Sequence, residues 1–62
     1  MSQLPGRVIA HAADVLVGGV HYRRDVRRVV GCQGGHEDIV VIDGAWVPVV
    51  QHDGAWIARV GR

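Results

Sequence analysis

The chain has one cysteine, Cys32, and no lysine, phenylalanine, asparagine or threonine. A lone thiol cannot form an internal disulfide, so a disulfide scaffold is excluded. No uncharged apolar run approaches the roughly 20 residues a membrane helix needs. Met1-Ser2-Gln3-Leu4-Pro5-Gly6 lacks a basic region leading into an apolar block, so no secretory signal is expected here. The cytoplasm or the interior of an assembled particle is the expected setting. Neither sign of charge dominates: the formal net charge is +1 and the pI about 8.1. Whole-molecule electrostatics therefore points to no partner. The length of 62 residues allows one domain, 1–62, and excludes a multidomain enzyme. A chain this short buries only about 60% of the surface its unfolded form exposes. Stability then usually draws on a metal or a partner subunit.

The residues that are present favour strands. Val and Ile supply 17 of the 62, and hydrophobic residues make up 48%, too apolar for a disordered tail. β-Branched side chains are stiff at χ1 and pack well on a pleated surface. All seven basic side chains are arginine. With lysine absent and Gly, Ala, Val and Asp abundant, this matches a GC-rich coding sequence and concerns codons before chemistry.

An internal echo organises the last third. Residues 43–50 read DGAWVPVV and residues 53–60 read DGAWIARV. Asp-Gly between β-rich runs is a strong hairpin signal, because a type I′ turn needs positive φ at both central positions. Two such turns predict a meander with strands near 37–42, 45–52 and 55–60. The first turn then pairs Ile42 with Ala45, Val41 with Trp46 and Val40 with Val47. The second pairs His52 with Ala55, Gln51 with Trp56 and Val50 with Ile57. Alternation places Val40, Ile42, Ala45, Val47, Val49, Trp56, Ala58 and Val60 on the core face. Ile39, Val41, Trp46, Pro48, Val50 and Ile57 fall on the opposite face. Pro48 lacks an N–H for a second ladder, which predicts that the strand changes partner there and bends. Strands that bend in this way turn corners in small sandwiches and barrels.

The first half admits more than one structure. Val8, Ile9, Ala12, Ala13 and Leu16 fit one helical face, and Gly18-Gly19 could end such a helix. Val15, Val17 and the absence of a good N-cap favour a strand instead. Residues 20–30 are ambiguous in the same way: Val20, Tyr22, Val26 and Val30 alternate as in a strand, while Tyr22, Val26, Val29 and Val30 form a helical stripe. A strand is favoured, because a three-stranded meander alone leaves one face uncovered. The expected fold is mainly β: a small barrel-like or curled antiparallel meander, with room for one short N-terminal helix.

Four patterns bear on chemistry. Arg23, Arg24, Arg27 and Arg28 could contact phosphates, with Tyr22 stacking on a base. Strand alternation splits them between two faces, and no nucleic-acid signature accompanies them. Cys32 and His36, with His11, His21 and His52 elsewhere, offer zinc-ligand chemistry without a paired ligand unit, so no metal or other cofactor is expected. Cys32, His36 and Asp38 are too close along one segment to form a nucleophile, base and pocket, so no enzyme is expected. Last, an outward Trp46 beside Ile39, Val41, Val50 and Ile57 would form an apolar contact face. The expected role is a non-enzymatic structural or adaptor protein that assembles with copies of itself or within a larger complex. A virus-particle component from a GC-rich host is one such setting. Nucleic-acid binding through the arginine cluster is the alternative.

Overall fold

The computed structural model describes residues 4–31 and 33–59. They form five strands: β1 (Arg7–Val17), β2 (Val20–Val30), β3 (His36–Ile42), β4 (Ala45–His52) and β5 (Ala55–Ala58). Each strand runs antiparallel to the next, and β5 lies parallel to β1, which closes the sheet into a barrel. The closing ladder places Val15 opposite Trp56 and Leu16 opposite Ile57. Closure pairs the two outer strands of the meander, whose edges would otherwise be open to other chains.

Three of the connections are tight two-residue turns. Asp43 and Gly44 have φ of 51° and 81°, and Asp53 and Gly54 have 52° and 80°. Gly18 and Gly19 repeat the geometry at 57° and 82°. Positive φ at both positions is the type I′ signature, whose twist matches that of the flanking strands. The registers expected from the Asp-Gly turns are those observed, from Ile42 opposite Ala45 to Val50 opposite Ile57. β5 ends at Ala58, short of the expected range, with Arg59 outside the strand and residue 60 outside the described residues. β4 changes partner as expected: Ala45 to Pro48 pair with β3, and Val49 to His52 pair with β5. Pro48 contributes its carbonyl, which accepts the N–H of Arg59 at 2.9 Å. Gly44→Val should lower stability by about 1–2 kcal/mol, because a β-branched residue at φ above zero is strained. Urea denaturation checks this, with an unchanged slope expected.

No helix forms among the described residues; residues 8–17 belong to β1. The helix-like spacing has a local cause. Opposite β2, β1 carries one extra residue between Val8 and Ala10 and another between Ala10 and Ala13. Each bulge resets the alternation. Ile9 and Ala10 can therefore both pack against the core, and the phase resumes at Ala13, Val15 and Val17. Ala12 sits in the second bulge with φ of 49°, a conformation that costs an L-residue roughly 1–2 kcal/mol. Its N–H donates to Oδ1 of Asp25 at 2.8 Å, which partly offsets that strain.

Val15, Val26, Val40, Ile42, Val49 and Trp56 form the buried core, so every strand contributes to it. Trp56, 8% exposed, is its one aromatic. Half-buried Tyr22 and Val47 pack against this cluster.

Candidate interaction surface

With the core inside the barrel, alternation sends the other residues of each strand outward. Three cross-strand pairs lie side by side on the outer face: Val41 with Trp46, Ile39 with Pro48, and Val50 with Ile57. Leu16, opposite Ile57 across the closing ladder, extends this apolar stripe onto β1. All five residues expected to form a contact face thus share one side of the sheet, but they differ in access. Trp46 is 59% exposed and Val50 41%, while Val41 and Ile57 are half-buried. Ile39 is only 3% exposed, set between Arg27 on β2 and Pro48 on β4. Trp46 and Val50 are therefore the accessible members of the stripe.

A groove of about 510 Å³ opens beside Trp46. Its walls are Pro5, Gly6, Arg7, Arg28, Val29, Val30, His36 and Trp46. Its rim depends on the segment before β1. Gly6, with φ of 62°, packs so closely on β2 that a Cβ would overlap the Arg28 carbonyl oxygen and lie 2.8 Å from Val29 Cγ1. The Pro5 carbonyl accepts a hydrogen bond from Arg27 Nε at 2.6 Å. These two contacts hold Pro5 and Gly6 against β2. Val30, at the far end of β2, is 71% exposed.

The arginine cluster does not form one patch. Arg23 and Arg27 alternate with Val26 and point away from the core, whereas Arg24 and Arg28 lie on the side of Val26. Each has a partner within the chain. Arg23 Nη1 reaches the Ala12 carbonyl at 3.5 Å, and Arg27 is spent on Pro5. Arg24 lies 5.3 Å from the centre of the Tyr22 ring and donates to the Arg23 carbonyl. The Tyr22 face proposed for base stacking is thus covered by a neighbour. Arg28 meets Asp38 with two hydrogen bonds, Nε to Oδ1 at 2.8 Å and Nη2 to Oδ2 at 3.3 Å. That hydrogen bonding, followed by the charge of Asp38, raises the Arg28 pKa further above its ordinary value.

Little else converges. Among the described residues no three His, Cys, Asp or Glu side chains come close enough to share a metal ion. His11, His21, His36 and His52 are exposed and lie on four different strands. Asp38, considered above with His36 for catalysis, is held by Arg28, and Cys32 lies outside the described residues. Pro5, Gly6, Arg7, Val29 and Val30 carry no site motif in the sequence. The one local signal was Leu4-Pro5-Gly6, a turn-prone segment directly before a strand. Compared with family models, curated proteins and solved structures, the chain matches none.

Proposed function

We propose that this chain is a non-enzymatic assembly module, which docks its outer barrel face onto copies of itself or a larger protein complex. One observation carries the proposal: Trp46 stands 59% exposed beside Pro48 and Val50. Trp56 belongs to the buried core and Trp46 does not. Tryptophan in such a position is the residue type most enriched among interface anchors, where truncation typically costs about 2 kcal/mol or more. The half-buried Val41, Ile57 and Leu16 widen the contact beyond a solitary exposed side chain. No comparable observation favours nucleic acid, since the four arginines are separated and engaged within the chain.

The test is the molar mass of nucleic-acid-free protein by light scattering, up to about 1 mM, which detects association stronger than about 4 kcal/mol. Mass should rise with concentration, or on mixing with the partner complex. Trp46→Ala should shift the midpoint at least about tenfold while circular dichroism stays unchanged. A monomer at every concentration, with no protein partner, would overturn the proposal.

A further inference from the structure

The groove beside Trp46 differs chemically from its neighbours. A smaller cleft lined by Leu4, Arg24, Asp25, Arg27 and Val41 contains a carboxylate, and so does one that places Glu37 beside His36. The groove itself combines an apolar wall of Pro5, Val29, Val30 and Trp46 with Arg7, Arg28 and His36, and among the described residues no carboxylate lines it. We infer that this groove binds an acidic, extended peptide segment that carries an apolar anchor side chain. The inference rests on the assembly proposal above and names the recognition element its partner would present.

Charge complementarity selects this occupant. Asp38 neutralises Arg28 through Nε and Nη2, so the unbalanced positive charge at the groove is that of Arg7. Arg7 makes no ion pair among the described residues and is exposed, so its charge is uncompensated at the groove. A basic segment would meet Arg7 with no counter-charge beside it, and like charges discriminate strongly between partners. The apolar wall supplies affinity that charge alone does not. Val30 and Trp46 are both hydrated in the free chain, and an apolar anchor between them would displace that water. The volume falls within the about 300–1,000 Å³ of ligand-sized clefts. A nucleic-acid strand fits less well: among the described residues Trp46 is the single aromatic wall, and Arg24 lies over the Tyr22 ring.

Fluorescence anisotropy with a fluorescein-labelled, acetylated peptide of alternating Glu and Leu tests the inference at neutral pH. Binding should appear below about 1 mM, weaken with salt, and fall about tenfold or more in Trp46→Ala. Arg7→Glu should weaken it similarly and flatten its salt dependence. Val30→Glu, at a solvent-exposed site that leaves the core intact, should also abolish binding. The double change Arg23→Ala with Arg24→Ala should leave affinity unchanged. The inference is overturned if alternating Lys and Leu binds as well, if the groove variants have no effect, or if no peptide binding is seen. Tighter binding of an oligothymidylate, lost with Arg23 and Arg24, would overturn it in favour of nucleic acid. Trp46-dependent self-association without peptide binding would sink the groove and leave the assembly proposal standing. Absence of both would sink both.

Discussion

Trp56→Ala is expected to leave about half of the molecules unfolded at room temperature, as read by far-ultraviolet circular dichroism and the urea midpoint. Trp56 is the one aromatic in a core otherwise built from Val and Ile, and it sits on the ladder that joins the ends of the sheet. Removing a buried tryptophan typically costs about 3–5 kcal/mol, because the transfer free energy is lost and the cavity collapses only in part. Domains of this size hold only about 3–5 kcal/mol unless reinforced. The loss therefore matches the whole net stability. Trp46→Ala is the control: at an exposed site the change should stay within about 0.5 kcal/mol in the monomer. Equal urea midpoints for the two variants would contradict the assignment of one tryptophan to the core and the other to the surface. Emission offers an independent check. Trp46→Phe should leave the blue-shifted fluorescence of a buried indole, and Trp56→Phe the red-shifted fluorescence of a hydrated one.

Gly6→Val should lower stability by about 1–3 kcal/mol and abolish binding in the groove while strand content is retained. Two causes act together. The φ of 62° is costly for any residue with a Cβ, and the new atoms would overlap the Arg28 carbonyl oxygen and crowd Val29 Cγ1. Arg28 is fixed in the ladder opposite Arg7, so the segment before β1 must move instead. Arg27 would then lose the Pro5 carbonyl, and the groove would lose one wall. Gly18→Ala separates the causes. Its φ of 57° is nearly the same, but nothing lies within 4 Å of a Cβ there. Its cost should reflect the backbone alone, roughly 1–2 kcal/mol. Chemical denaturation of the two variants measures the difference, and equal losses would show that close packing at Gly6 contributes nothing.

What could be read from the sequence was local. The Asp-Gly turns set strand pairing through the backbone preferences of two adjacent residues, so the register of β3, β4 and β5 followed residue by residue. The handover at Pro48 followed from a missing N–H. β1 was ambiguous because its bulges interrupt the period of two, and the acceptor for the Ala12 N–H is Asp25, on the next strand. Alternation also identified the outward apolar set on β3 to β5. It could not reveal that Ile39 is enclosed or that Leu16 joins the stripe, since both depend on which strands lie side by side after closure. The groove was invisible for a similar reason: Pro5 and Trp46 are distant along the chain and meet only in the folded barrel.

The parallel ladder between β1 and β5 also shapes how the molecule must fold. Every other ladder joins consecutive strands, and three of those connections are turns that can form within microseconds. Bringing Val15 to Trp56 instead requires closing a loop that includes most of the chain. Its entropy must be met before any contact across the ladder compensates, so this step is expected to set the folding rate. Until it occurs, the meander is an open ribbon with hydrogen-bonding groups exposed along both margins. The interval before closure is therefore when two copies are most prone to pair incorrectly, and once it ends Trp56 anchors the last strand to the first.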